Sequence, residues 1–218
     1  MAVKTIMREK PGSRKPEAGS PEPCKLGRPR AFCEDSALDA AMRVFWEKGY
    51  EGASLDDLTT AMRVNRSSLY ASFGDKEQLF KLAIARYAEG PMAYFRASLE
   101  QPSARAVIEN LLKGTLNLLA DSSHPRGCLS IQAGLACGSG AEAVKQALVE
   151  WRINAVSLIE KRLRQARKEG DLSSNVEPKD LARYISILMA GLSVQSANGA
   201  SKLEMTRAVE MALQSLPL

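Results

Sequence analysis

Residues 54–76 place two short helical patterns on either side of a three-residue break and then restart a third helix, which confines the local fold to a helix-turn-helix. Leu55, Leu58 and Met62 recur at i, i+3 and i+7, and Ser54 with Asp57 forms a capping-box pattern in front of them. Arg63, Val64 and Asn65 interrupt that helix. Asn65 is a good N-cap residue, and Leu69 with Phe73 gives the next helix an apolar i, i+4 pair. Gly74 then supplies a stop, and Asp75 with Gln78 caps a longer helix through Leu79, Leu82, Ala83 and Tyr87. Upstream, Leu38, Ala41, Met42 and Phe45 make the inner face of a supporting helix that ends at Gly49. Three such helices enclose a small core from Leu38, Phe45, Leu55, Leu58, Val64, Leu69 and Phe73, leaving Arg66, Ser67, Ser68, Tyr70 and Ser72 outward.

These residues carry a resemblance. Gly49-Tyr50 ahead of Ser54, then Leu69-Tyr70-x-x-Phe73-x-x-Lys76-x-x-Leu79, after an N-terminal Gly27-Arg28-Pro29-Arg30, is similar to the TetR-type family of bacterial transcriptional regulators over residues 27–82. The resemblance implies an all-α homodimer. Its N-terminal three helices bind double-stranded operator DNA, and a larger helical domain holds a small-molecule effector and the dimer interface. The chain departs from the family in the turn, where glycine is usual and Arg63 stands here. If the turn needs a positive φ, a side chain there costs roughly 1 kcal/mol. The implied division is a basic arm over 1–32, a helix-turn-helix domain over 33–82 and an effector-binding and dimerisation domain over 83–218.

Charge is distributed unevenly. The chain is +5 overall; residues 1–32 hold eight Lys or Arg against three Glu, so the rest is balanced. The Pro-, Gly- and Ser-rich arm reads as disordered in the free protein. It is either a solubilising extension or a source of phosphate contacts whose Arg28 or Arg30 enters a minor groove. Residues 33–74 are net −3, so attraction to DNA must rest on local placement, with Arg63 and Arg66 at the turn and the start of the recognition helix.

Each DNA-facing candidate has an alternative role. Arg66 makes either a bidentate contact to guanine or a phosphate clamp, and Asn65 either reads adenine or only caps its helix. Ser67 and Ser68 touch base edges or phosphates. Tyr70, Ser72 and Lys76 match family positions on the DNA backbone, with partial core packing the alternative for Tyr70, and Ser54 donates to a phosphate from its cap position.

The C-terminal part reads as five further helices: 103–120, 128–137, 141–169, one after Pro178, and one through Met205 to Leu216. The last two stripes suit a dimer through Tyr184, Leu188, Leu192, Val209 and Leu213, or an intramolecular core. Two half-sites about 34 Å or a multiple apart favour the dimer. Phe95, Leu112, Leu116, Ile131, Leu135, Trp151 and Tyr184 are candidates for an apolar effector pocket, though such side chains at helical spacing equally serve as plain core.

Chemistry beyond binding finds little support. A single histidine, no nucleophile elbow, no phosphate-cradling glycine loop and no paired acid argue against an enzyme. No cofactor is indicated, and the four cysteines, lacking C-x-x-C, do not suit zinc. Cys128 follows Pro125-Arg126-Gly127 and opens a helix, so it is either a small apolar residue or a thiol sensor of oxidants or electrophiles, activated by the helix dipole and a guanidinium. Cys137, nine residues on and about 13.5 Å along a straight helix, is beyond the ~7 Å a disulfide allows. A non-specific architectural DNA-binding protein is the remaining alternative; binding that ignored sequence would favour it. No apolar stretch of signal-peptide type follows Met1, and Ile185 to Val194 falls short of the ~20 residues that span a bilayer, so the expectation is a cytoplasmic protein without membrane contact.

Overall fold

Asn65, Asp75, Ser103 and Ser201 each turn a side-chain oxygen onto a backbone N–H of the first helical turn, and Ser54 does the same within a reciprocal box with Asp57. These caps fix where half of the helices begin. The computed structural model describes residues 33–135 and 141–216, and among the described residues there are ten helices and no strand. They are α1 (Glu34–Gly52), α2 (Leu55–Met62), α3 (Arg66–Phe73), α4 (Lys76–Glu89), α5 (Ala93–Leu99), α6 (Ala104–Ala120), α7 (Leu129–Leu135), α8 (Glu142–Lys168), α9 (Pro178–Ala197) and α10 (Lys202–Ser215). Arg28, Arg30, Cys24 and Cys137 lie outside the described residues.

Two details differ from the sequence expectation. The first helix carries on to Gly52, but Gly49, with φ 71° and ψ 178°, breaks it where the glycine stop was expected. The C-terminal part has one more helix than expected, α5, whose N-cap Met92 makes no side-chain bond and whose seven residues are too few for a periodic stripe.

One aromatic cluster joins α1 to α4. Phe45 meets Phe80 edge-on at 5.0 Å between centroids, Tyr50 meets Phe80 at 5.2 Å, and Trp46 meets Tyr87 at 4.8 Å. Phe45, Trp46, Phe80 and Tyr87 are fully buried, each contributing about 1.5–3 kcal/mol by area removed from water. Arg86 clasps Asp39 through two bonds of 2.7 and 3.0 Å, tying the same two helices at their edge.

Beyond α4, helices α5 to α10 pack as a second layer. The α5–α6 seam depends on Gly114, because a Cβ there would stand 2.1 Å from Cδ2 of Tyr94. Asp171 accepts from the first backbone N–H of α6, closing the far end of the layer. No helix among the described residues is long and apolar enough to cross a membrane.

Candidate functional site

Helix α3 buries only Leu69 and Phe73, so its remaining side chains face outward. Arg63, Asn65, Arg66, Ser67, Tyr70 and Ser72 are exposed, Ser68 and Lys76 are half-buried, and together with exposed Ser54 they stand on the three short elements α2 to α4. Arg63 occupies the left-handed region at φ 55° and ψ 42°, alone among the described non-glycine residues. Its N–H still caps α2 through Thr60 and Thr59, so the turn is closed by an arginine in a glycine conformation.

Several of these side chains are already engaged. Asn65 Oδ1 accepts from the Ser68 N–H at 2.8 Å and from the Ser67 hydroxyl at 2.7 Å, the cap geometry. The Ser54 hydroxyl donates to Asp57 Oδ2 at 2.7 Å, so its proton is committed inside the capping box. Arg66 Nη2 lies 2.8 Å from Asp56 Oδ1, with both side chains largely exposed. Such a surface pair contributes little and exchanges readily for a phosphate or a guanine. Lys76 Nζ sits 4.6 Å above the Tyr50 ring, and partial burial lowers its pKa. Lys48 at 2.6 Å, then Ser54, hold the Asp57 carboxyl down to about 2.

The second feature is a cavity of about 90 Å³ between α5, α6, α7, α8 and α9. Phe95, Ile131 and Trp151 line it together. The other expected pocket residues lie elsewhere: Leu112 borders a groove between α9 and α10, Leu116 is buried core, Tyr184 is exposed on α9, and the Leu135 side chain is not among those described. The polar lining includes Tyr94, Thr115, Cys128, Ser130, Arg152, Ser186 and Ser193. Tyr94 and Thr115 share a hydrogen bond of 3.0 Å, and burial pushes the Tyr94 phenol up, so it stays a neutral hydroxyl.

Cys128 is buried where α7 begins, and its carbonyl accepts from Gln132 at 3.0 Å. Tyr87 donates its hydroxyl to Sγ at 3.2 Å, and Ser130 Oγ lies 3.1 Å from the sulfur. Burial also pushes the Tyr87 phenol up. The guanidinium expected at the sulfur is elsewhere: Arg126 lies beside Gly199, and its carbonyl holds the Gln132 amide.

A junction connects the two features. Trp46 Nε1 donates to the Gly127 carbonyl at 3.0 Å, His124 stacks on the Trp46 ring at 5.1 Å, and Arg43 donates to the Ser123 carbonyl at 2.7 Å. The loop that carries Cys128 is thus bonded to α1, and Tyr87 touches both Trp46 and the cavity sulfur.

On the proposed dimer face, Leu188, Leu192 and Val209 line the α9–α10 groove, with Leu192 and Val209 buried within the protomer, and Leu213 packs partly buried against the core. Tyr184, Ile187 and Val194 on α9 and Leu203 and Met211 on α10 are the exposed large apolar residues here. Among the described residues no group of three or more His, Cys, Asp or Glu is placed to hold a metal ion.

Sequence reasoning missed Asp56 as the partner of Arg66, the Trp46–Gly127 bond, and Arg152 in the cavity wall. Asp56 had a faint signal, an acid about two turns before a break followed by an arginine. The other two join positions that nothing local links.

A model of the bacterial regulatory proteins of the tetR family matches residues 37–83, and a tetracyclin repressor-like C-terminal domain matches residues 102–212. The chain is 29% identical over 177 residues to the HTH-type transcriptional repressor ComR of Escherichia coli (strain K12), covering 80% of this chain and 84% of that protein. It is 41% identical to a cysteine mutant of the TetR family transcriptional regulator CifR complexed with 26 bp double-strand operator DNA, with a TM-score of 0.84 over 88% of this chain and 100% of that one.

Proposed function

Because the chain belongs to the TetR family of bacterial regulatory proteins, we propose that it is a homodimeric repressor that occupies a palindromic operator through α3 and is released when a small molecule enters the α5–α9 cavity. The observation that carries this reading is the outward face of α3, where Arg66, Ser67, Tyr70 and Ser72 stand exposed on a doubly capped helix, with Arg63 exposed in the turn before it. CifR and ComR, both regulators, support it by likeness.

Arg66 leaves Asp56 to take a guanine or a phosphate, Lys76 and Tyr70 contact the backbone, and Arg28 with Arg30 contributes from the arm. Asn65 acts as a cap, and Ser54 braces α2. The exposed apolar residues of α9 and α10 are covered by a second protomer, which sets the two recognition helices about one helical turn apart. Release requires the effector to bind more tightly to the conformation that fits DNA poorly, and the Trp46 junction is the mechanical link between the two units.

Selection of bound duplexes from a random pool tests the reading. A two-fold sequence should emerge, and Arg66→Ala should relax discrimination at one base pair while Lys76→Ala weakens all duplexes alike. Binding that ignores sequence would turn the reading into an architectural one.

A second reading rests on Cys128, whose sulfur stands in the cavity wall under the Tyr87 hydroxyl. In it, oxidation or alkylation of the thiol releases the operator. Cys128→Ser that is still released by the same oxidants and electrophiles removes this reading.

A further inference from the structure

Arg152 brings a positive charge into the cavity wall without an acid to meet it. Its Nη1 donates to the Ser130 carbonyl at 2.8 Å, and the rest of its five-donor fork has no carboxylate partner among the described residues. Of the other cations of α8, Lys145 pairs with Glu142, Arg164 with Glu160 and Arg167 with Glu177, while Arg162, away from this cavity, donates to the Gln101 carbonyl. No Asp or Glu lines the cavity. Trp151, also in the wall and largely buried, has an Nε1–H with no acceptor among the described residues.

The half-buried guanidinium has a carbonyl but no counter-ion, and the buried indole N–H has no acceptor; an acceptor-rich anion would serve both. Hydroxyls of Tyr94, Thr115, Ser130 and Ser186 add to the polar part of the wall, and Phe95, Ile131, Val156 and Met189 give it an apolar side. We propose that the cavity is the site of a small organic carboxylate, with Arg152 as its anchor and an apolar tail against α5 and α8. This rests on the effector-release reading above. Arginine and carboxylate match as fork to fork, so the pairing gives orientation as well as attraction. The volume of about 90 Å³ is less than the roughly 150 Å³ that accommodates benzene, which favours short-chain acids.

The test uses the full-length protein and calorimetry with acetate, propionate and butyrate, each beside its neutral amide. At least one acid should bind roughly tenfold or more tightly than its amide, as expected for a hydrogen-bonded charge pair. That preference should vanish in Arg152→Gln and persist in Arg152→Lys, and the acid should lower occupancy of the selected operator. An amide binding as tightly as its acid, no acid binding at all, or an Arg152→Gln protein that keeps the preference would overturn the proposal. Should Arg152→Gln not fold, the acid–amide comparison on the unaltered chain decides alone. Failure of that chain to bind any duplex would count against the repressor reading and leave the acid preference to be judged separately.

Discussion

Replacing Arg63 by Gly should move stability and DNA affinity in opposite directions. At φ 55° and ψ 42° the Cβ of an L-residue crowds the following carbonyl, at a cost of about 1–2 kcal/mol. Glycine removes that crowding but gives the unfolded chain more freedom, which offsets about 0.4–1 kcal/mol. The net is a stabilisation of about 0.5–1 kcal/mol, or roughly 1–4 °C in Tm for a chain of this size. The same change deletes an exposed guanidinium at the DNA-facing turn, so the dependence of log K on log salt should flatten by about 0.9 per protomer. Two further variants separate the effects. Arg63→Asn, which tolerates the left-handed region, should gain Tm and lose salt dependence, whereas Arg63→Ala keeps the strain and should lose salt dependence without gaining Tm. Thermal denaturation and anisotropy of a labelled operator across a salt series measure both. A lower Tm for Arg63→Gly would refute the strain argument, and an unchanged salt slope would refute the contact.

Asp57, held at about 2 by Lys48 and Ser54 against 3.8 in an unfolded chain, contributes stability that is complete above pH 3.8 and lost as pH falls toward 2. Asp57→Asn should therefore flatten the acid limb of the stability curve in that window, which denaturant midpoints at successive pH values record. Asn65→Ala should cost about 1 kcal/mol by removing the cap on α3, while Asn65→Asp keeps the cap but places a negative charge against DNA; urea melts and operator titrations should thus separate. Gly114→Ala puts a methyl 2.1 Å from the Tyr94 ring; displacing the ring breaks its 3.0 Å bond to Thr115 and should cost about 1–3 kcal/mol in urea unfolding.

What was legible in the amino-acid sequence follows from the range of the interactions involved. Ser54 with Asp57, Asn65 with Ser68 and Asp75 with Gln78 are bonds over three residues, so α2, α3 and α4 could be read directly from spacing. The helical class of the C-terminal part was equally plain, since α6, α8, α9 and α10 carry long stripes. Helix α5 escaped because seven residues without a cap give no period. The cavity was only partly visible. Phe95, Ile131 and Trp151 stand out in the sequence as large apolar residues, but Arg152, Tyr94 and Thr115 become its polar wall only once five helices are assembled. The stripes of α9 show the same limit: Leu192 belongs to the protomer's own interior, and the exposed Ile187 and Val194 lie on the neighbouring face of the same helix.

The Trp46 junction bears on whether the recognition unit can be separated from the rest. The indole of α1 is satisfied by a carbonyl from the loop at Gly127, and its flat face is covered by His124, 78 positions further along the chain. Cutting after α4 would bare that ring, strand its N–H, and remove the sulfur that receives the Tyr87 hydroxyl. The three DNA-facing helices are therefore not a portable module: a chimera that moves them onto another sensor must carry a matching loop for Trp46, or inherit a weakened α1–α4 core in the part that has to hold α3 steady.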